Sequence, residues 1–386
     1  MIRPRRRGRG GAIHLSPRLP RKERRSMMRR VQTGSDESVQ GTASDAAVGK
    51  LSAASLGYFE DRFLGVLVGA GSTVEVPARR LPPVINRGNF ARVMCIEKLV
   101  RDFIGTAPTG GRSHDVEGDT CECQGGETAL VESPADVEPP SVTAGVETPR
   151  ARKSQVISLG AGKDSLFFRL ADGGVFPSRG YFEVDFPAVS SWKARLVSKI
   201  PVLSGLVNES YKLVAADLRD SAALEEALIA AGVDFSAPTI FLAECVLVYM
   251  EPVESAALLQ WCSSKFPEAL FAAYEMTSPH DAFGKMMRRN IQSMGCLLPG
   301  LEPYPTLQSQ EERLEAAGWD AARAIDMLRV YQDFLDPVEV ERVSKIEMLD
   351  EVEEWELIMR HYCLIVAAKG RDALTHLSHL PKRASR

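Results

Sequence analysis

The 386-residue sequence lacks the features that mark membrane, secreted or nucleic-acid-binding proteins. No run of apolar residues reaches the ~18–20 that a membrane-spanning helix needs, and the seven cysteines lack the spacing of a disulfide framework. A formal net charge of −4 excludes a strong positive field over the whole chain. We therefore expect a reduced, globular protein whose partners include neither membranes nor nucleic acids.

Residues with metal-binding chemistry are also sparse. Cys121 and Cys123 form a Cys-x-Cys pair in a loop-like stretch, and His114 is the nearest further candidate ligand. A structural zinc ion takes four ligands, which this group does not supply. A plain reduced loop is favoured over a metal site, and we expect no bound metal.

The charges are distributed unevenly. The first 30 residues hold 12 Arg and Lys against one acid, a composition that organelle transit peptides and basic localisation signals share. A disordered tail without a targeting function is the favoured alternative. We assign residues 1–38 to a disordered basic tail and expect a cytoplasmic protein, with nuclear or organelle targeting left open.

The remaining chain divides into four parts by composition. Residues 39–105 form a helical region, where apolar side chains recur at helical spacing on one face. Residues 106–154 are rich in Gly, Pro, Ser, Thr, Asp and Glu, so we expect a disordered insertion. Residues 155–370 alternate apolar strands with helical patterns, and residues 371–386 are assigned to a C-terminal tail. The apolar helical face is Val93, Ile96, Leu99, Val100, Phe103 and Ile104.

The alternation within residues 155–370 predicts an α/β fold. Its apolar strands are separated by helical segments, which is typical of a parallel sheet flanked by helices. A long amphipathic helix is predicted near residues 338–359, before a last strand. The predicted strands are 156–159, 181–184, 212–215, 239–243, 269–273 and 362–368.

Polar residues stand where several of these strands end. The first strand runs into Gly160-Ala161-Gly162, and glycines at such a turn let the backbone approach a ligand closely. Asp185 closes the next strand, as does the acid that binds ribose in dinucleotide sites. Asp217 and Glu244 follow two further strands. Because ligands bind beyond the carboxyl ends of strands in open α/β sheets, we expect these residues to converge on one cleft.

At these positions the chain resembles the leucine carboxyl methyltransferases. The resemblance runs from about Gln40 to about Lys369, with one interruption. It implies an α/β fold of the class I S-adenosylmethionine-dependent methyltransferases, in which a mostly parallel sheet ends in an antiparallel strand. Six blocks carry it: NRGNFAR at 86–92, LGAG at 159–162, YFEVDFP at 181–187, ADLRD at 216–220, AECVLVYM at 243–250 and MRHYC at 359–363.

The resemblance also implies S-adenosyl-L-methionine as cofactor and a role for each matching residue. Gly160 would admit the methionine part, and Asp185 would bind the ribose hydroxyls. Asp217 would accept a bond from the adenine amine, while Leu218 would pack on the ring. Residue chemistry alone leaves alternatives open: a plain turn for Gly160, a helix cap for Asp185, and for Asp217 a solvated acid paired with Arg219.

Four further residues complete this implied site, three at the methionine end of the cofactor and one toward the substrate. Glu244 would bind the cofactor's ammonium or order that end of the pocket, and a function is favoured because an acid directly after an apolar strand is otherwise costly. Arg92 and Lys50 would bind its carboxylate, although a solvated charge is an equal alternative for Lys50. Tyr249, together with Arg92, is the catalytic candidate, since its hydroxyl could orient the substrate; otherwise it is a half-buried core aromatic.

The implied reaction is methyl esterification of the C-terminal leucine of the type 2A protein phosphatase catalytic subunit, by a monomer. A terminal carboxylate, whose ordinary pKa is near ~3.5, needs no general base at neutral pH, so positioning and desolvation should dominate. A related alternative is a tRNA wybutosine-type carboxyl methyltransferase, whose relatives continue into a propeller-type region, whereas this chain ends 16 residues beyond Gly370. A catalytically silent phosphatase-binding protein is disfavoured because the cofactor positions are all filled.

Overall fold

The computed structural model of the protein describes residues 36–69, 79–105 and 153–381. Most of the predicted basic tail and of the predicted insertion lies outside these residues, as do Cys121, Cys123 and His114. The predictions for those segments therefore stay predictions.

Seven strands form one twisted sheet in the order β3-β2-β1-β4-β5-β7-β6. Strands β1 to β5 are mutually parallel, and β7 runs antiparallel to both β5 and β6. This order and the antiparallel β7 confirm the predicted class I methyltransferase fold. The strands are β1 (Gln155–Leu159), β2 (Tyr181–Asp185), β3 (Tyr211–Ala215), β4 (Thr239–Glu244), β5 (Ala269–Met276), β6 (Ala321–Asp326) and β7 (Tyr362–Lys369).

Helices cover both faces of the sheet, which explains why β1 and β5 are buried along their whole length and read as continuous apolar runs. The helices are α1 (Asp36–Ser55), α2 (Leu64–Val68), α3 (Pro83–Ile104), α4 (Leu166–Asp172), α5 (Pro187–Lys199), α6 (Pro201–Ser204), α7 (Ser221–Ala231), α8 (Pro252–Lys265), α9 (Ala282–Ser293), α10 (Leu307–Ala316), α11 (Met327–Asp333), α12 (Pro337–Ser344), α13 (Val352–Arg360) and α14 (Arg371–Ser378).

Two apolar cores lie on opposite faces of the sheet. The first core joins the sheet to the N-terminal helices and to α4, α11, α13 and α14, and it contains the whole apolar face predicted for α3. The second core joins the sheet to α7, α8 and α10 through residues such as Leu228, Leu259 and Phe266. The N-terminal helical region is thus an integral layer of the fold, as its apolar face requires.

Several boundaries differ from the predicted ones. The last three residues of the predicted tail, from Asp36 onward, are already helical and belong to α1, and Asp36 forms an ion pair with Arg219. The predicted C-terminal tail contains α14, which forms because its residues Ala373 and Leu377 bury themselves against the first core. Strand β6 at the sheet edge was missed, since its Ala-rich sequence has little of the β-branched character of strands.

The long helix predicted near residues 338–359 is two helices, α12 and α13. The chain leaves helical geometry between them to bury the carboxylate of Glu347 against the N-terminal region. That carboxylate accepts bonds from Tyr58 at 3.1 Å, Asn86 at 2.9 Å and Arg80 at 2.7 Å. A continuous helix would take this acceptor away from the buried hydroxyl of Tyr58.

Candidate active site

A cavity of about 480 Å³ lies beyond the carboxyl ends of β1, β2 and β4. Helix α1 forms one wall along most of its length, from Asp36 to Lys50, and α3 contributes a second wall. The predicted convergence of strand ends is therefore what the structure shows. All eight residues predicted for the site line this cavity: Lys50, Arg92, Gly160, Asp185, Asp217, Leu218, Glu244 and Tyr249.

The glycine turn after β1 packs closely against α1 and against the segment that follows β4. Gly160 and Gly162 have φ values of +65° and +52°, which side chains adopt rarely. A Cβ on Gly160 would lie 2.8 Å from Cγ2 of Val246, and one on Gly162 would lie 2.9 Å from Cβ of Ala43 in α1. Glycine is thus required here both for the turn and for the close approach of the segments that enclose the cavity.

Asp185 braces this turn from the end of β2. One carboxylate oxygen accepts the N–H of Gly162 at 2.6 Å, and the other accepts the N–H of Phe186 at 2.7 Å. Burial raises the pKa of Asp185, while these two N–H groups oppose the rise. Because each carboxylate oxygen has a second lone pair, Asp185 can still accept bonds from a bound molecule.

A cluster of four charged side chains stands at the end of β4. Lys50 Nζ lies 3.0 Å from both Asp164 and Glu244, and Arg92 Nε lies 2.6 Å from Glu244. Burial disfavours ionisation of Glu244, but Lys50 and Arg92 outweigh it and hold the pKa of Glu244 below its ordinary value. The pKa of Asp164 is likewise held low, against its burial, by Lys50 and other cations. The cluster therefore presents balanced opposite charges to the cavity.

The position of Lys50 decides between its two interpretations. Its side chain is only 7% exposed, so it is a buried partner in the cluster and not a solvated charge. Sequence reasoning missed Asp164 as its partner, although an acid two residues after the glycine turn was a usable signal. It also missed Tyr274, whose ring lies 4.6 Å from the Arg92 guanidinium and stacks on Tyr362.

The loop after β3 forms a second polar group at the other end of α1. Arg219 lies 2.6 Å from Asp217 and 2.9 Å from Asp36, so it ties this loop to the first residue of α1. Burial opposes ionisation of Asp217, but its bonds from Arg219 prevail and lower its pKa. The pairing with Arg219 that the sequence left open is therefore present, beside a cavity wall that Leu218 completes.

Tyr249 ends a single 3₁₀ turn, Leu247–Tyr249, directly after β4. Burial raises the pKa of its phenol, so the hydroxyl is neutral and able to donate a bond at physiological pH. His361 is not on the cavity wall; its ring bonds the Leu357 carbonyl at 2.7 Å and Asp281 at 3.0 Å. Its contacts join α13 to the first turn of α9.

Metal-binding clusters and membrane-spanning helices are absent from residues 36–69, 79–105 and 153–381. Among these residues, no group of three or more His, Cys, Asp or Glu side chains is arranged to hold a metal ion. In the same ranges, no helix has both the length and the apolar character needed to cross a membrane.

The charged and polar side chains around the cavity fit S-adenosyl-L-methionine. Its methionine end carries one ammonium and one carboxylate, and the cluster at the end of β4 offers both charge signs, with Glu244 for the first and Arg92 and Lys50 for the second. Asp185 stands at the strand end where ribose hydroxyls are bound in related folds. Fold and site together define an S-adenosylmethionine-dependent methyltransferase.

Comparisons with known proteins identify the family. The family model for leucine carboxyl methyltransferase matches residues 144–263. Leucine carboxyl methyltransferase 1 from Bos taurus is 35% identical over 356 residues, which span 88% of this chain and 92% of that protein. A homolog from Arabidopsis thaliana is 34% identical over 85% of this chain and 88% of its own length. The chain belongs to the leucine carboxyl methyltransferase family.

A second group of relatives is equally similar but longer. The tRNA wybutosine-synthesizing protein 4 of Homo sapiens is 35% identical over 359 residues, or 89% of this chain. The matched region is 46% of that protein, so this chain spans about half of its length. Family membership thus leaves two kinds of substrate to be separated by experiment.

Proposed function

We propose that the protein esterifies the C-terminal leucine carboxylate of the type 2A protein phosphatase catalytic subunit. The observation that carries this proposal is the division of the cavity wall into a polar and an apolar part. The ends of β1, β2 and β4 supply the glycine turn and the acids, and α1 and α3 supply the cations Lys50 and Arg92. The start of α3 and α9, α13, β5 and β7 supply mainly apolar residues. The apolar part is Val84, Ile85, Met276, Ile291, Met294, Ile358 and Tyr362.

An apolar chamber beside a charged cluster suits a substrate that is itself apolar with one terminal charge. A leucine side chain would gain roughly 2 kcal/mol from leaving water for such a wall. Its carboxylate would lie near the cations and the neutral hydroxyl of Tyr249, which can donate a bond to one oxygen and so orient the other. Tyr249 and Arg92 are therefore the residues proposed to act on the reacting groups.

Bound S-adenosylmethionine supplies a methyl group on a positively charged sulfur. The protein positions the reactants and excludes water from them. Helix α1 closes one side of the cavity, and the buried charged cluster holds the charged groups of the bound molecules. No histidine lies on the described part of the cavity wall. This composition suits an acceptor that is already ionised at neutral pH and needs no base. Esterification would remove the terminal charge of the phosphatase and so change which regulatory subunits associate.

The decisive experiment is methyl transfer from labelled S-adenosylmethionine to the purified phosphatase catalytic subunit. We expect incorporation into the intact subunit, release of the label as methanol in mild alkali, and none into a subunit that lacks its terminal leucine. If tRNA that carries the wybutosine precursor is labelled and the phosphatase is not, the protein is a tRNA carboxyl methyltransferase and the proposed function is wrong. Cofactor binding without transfer to either acceptor would contradict both.

A further inference from the structure

The segment that follows β4 leaves the sheet through an unfavourable bend. Cys245 has φ +55°, a left-handed conformation that residues with a side chain rarely adopt. Its N–H donates to the Tyr274 carbonyl at 2.7 Å, which is the last backbone–backbone bond from this segment to the neighbouring strand β5. The next N–H groups have no strand to pair with, so they need another acceptor.

A buried carboxylate is that acceptor. Glu275 on β5 is 1% exposed, and its Oε1 accepts the N–H of Val246 at 3.1 Å and that of Leu247 at 2.8 Å. In the strand register Glu244 is opposite Tyr274, so Glu275 is one residue further and faces the other side of the sheet. It is not on the cavity wall. Any influence of Glu275 on the cavity passes through the backbone that it holds.

The segment after β4 contributes several residues to the cavity wall. Val246 touches the glycine turn at Gly160, and Tyr249 lines the cavity three residues later. From outside, the N–H of Gly300 donates to the Val248 carbonyl at 3.0 Å. The segment is therefore held at two points, and Glu275 supplies the bonds nearest to the bend.

We propose that Glu275 is a positioning residue of the methyl transfer: its ionised carboxylate keeps the segment after β4 bent, which holds Tyr249 and Val246 against the cleft. The inference rests on the methyltransferase activity of the family and not on which acceptor is methylated. It extends the site to a residue on the opposite face of the sheet.

The charged and titratable groups around Glu275 come from three elements. Arg313 of α10 is buried, and its charge favours the ionised carboxylate; its Nε and Nη2 have no hydrogen-bond partner among the described residues. The other two groups are the thiols of Cys245 and Cys363, and burial raises the pKa of both, for Cys245 to about 12. The thiols stay neutral near pH 7, so of these groups only Glu275 changes charge there.

Burial raises the pKa of Glu275 to about 7, against the effects of Arg313 and the backbone N–H groups. The ionised form is the stronger acceptor, so turnover should rise as pH increases through about 7. The free energy of unfolding should instead decrease as pH rises toward that value. A folded-state pKa above the ordinary value means that the protonated form favours folding, so this contribution is present at low pH and lost as pH rises toward 7.

Two substitutions at Glu275 and one control test the proposal. Glu275→Gln keeps the shape and one carbonyl oxygen but cannot ionise, whereas Glu275→Leu removes both bonds. Glu268→Gln is the control, because Glu268 precedes the same strand at its opposite end and accepts the N–H of Ala373, remote from the cavity. Each purified variant is compared with the wild type for kcat, for KM of the acceptor, and for backbone hydrogen exchange of residues 244–250.

We expect wild-type kcat to titrate with an apparent pKa near 7. In Glu275→Gln that titration should be absent, and kcat at pH 8 should be about three- to tenfold lower. Glu275→Leu should lower kcat about 10- to 100-fold and accelerate exchange of residues 244–250 at least about tenfold, while Glu268→Gln matches the wild type.

Persistence of the titration in Glu275→Gln would overturn the proposal, as would unchanged exchange in Glu275→Leu. If Glu275→Leu does not fold, the pH profile of Glu275→Gln decides. The exchange measurement needs no acceptor, so a wrong substrate assignment would leave it intact and would be recognised separately.

Discussion

Glu244 offers the sharpest test of the site, because its carboxylate is shared between two cations and the proposed ammonium of the cofactor. The change is Glu244→Gln, which keeps the size of the side chain and removes its charge. Arg92 then loses a charged partner at 2.6 Å, and Lys50 keeps only Asp164. Removing one member of a buried ion pair typically costs 3–5 kcal/mol, and since Gln retains one acceptor we expect about 3 kcal/mol of unfolding free energy.

Cofactor affinity should fall as well. A hydrogen bond to a charged group contributes about 1.5–3 kcal/mol, so the dissociation constant for S-adenosylmethionine should rise roughly 10- to 100-fold. The pKa of Glu244 is held below its ordinary value, so its contribution to stability is complete above about pH 4.3 and is lost only as pH falls further. Denaturant unfolding and calorimetric titration at neutral pH therefore measure the full effect.

Glu97 provides a matched control. Its carboxylate is also buried between two cations, Arg101 and Arg169, and its pKa is also lowered, but it is not on the cavity wall. Glu97→Gln should lose similar stability and leave cofactor affinity unchanged. If both variants lose stability and both bind the cofactor as the wild type does, the cluster at Glu244 is structural and its assignment to the methionine end is refuted.

Three other outcomes are expected. Asp185→Ala should weaken S-adenosylmethionine binding by about 1–3 kcal/mol in calorimetry, because the ribose hydroxyls lose their acceptor; an unchanged affinity would move the ribose site elsewhere. Gly160→Ala should lower the melting temperature and cofactor affinity together, since its Cβ would meet Val246 at 2.8 Å in a left-handed turn, and a variant with wild-type values would show that the turn can shift freely. The Cys245 thiol, whose pKa burial raises to about 12, should resist iodoacetamide at pH 8 in the folded protein; rapid alkylation at this residue in peptide mapping would mean that the cleft opens readily.

Much of the site could be predicted because it follows from topology. In a parallel α/β sheet the carboxyl ends of neighbouring strands meet at one edge, so Gly160, Asp185 and Glu244 had to converge once their strands were recognised. The strands were recognisable because burial on both faces produces continuous apolar runs. Their roles toward the cofactor came from the family resemblance and remain predictions that the substitutions above test.

Ion pairs between residues that are far apart in the sequence could not be predicted from strand topology. Lys50 and Asp164 are 114 residues apart, and Asp36 and Arg219 are 183 apart. Local periodicity contains no information about which helix residue meets which strand-end loop, since that depends on how α1 crosses the cleft. The same limit explains the split of the helix predicted near residues 338–359, because Glu347 interrupts it to satisfy donors on the N-terminal region.

The two acids Glu244 and Glu275 show how finely the outcome depends on strand register. Glu244 is the last residue of β4 and Glu275 is the last but one of β5. These apolar strands are adjacent and parallel, so a rule based on strand ends alone would place both acids in the cleft. Side chains alternate between the faces of a sheet, and the register pairs Glu244 with Tyr274. Glu244 therefore meets Arg92 on the cavity side, whereas Glu275, one position later, faces the second core and can reach the cleft only through the backbone of Val246 and Leu247. An insertion of one residue in β5 before Glu275 would turn its side chain to the face that Glu244 occupies. A second carboxylate would then stand on the side of Arg92, and the bend at Cys245 would lack its acceptor.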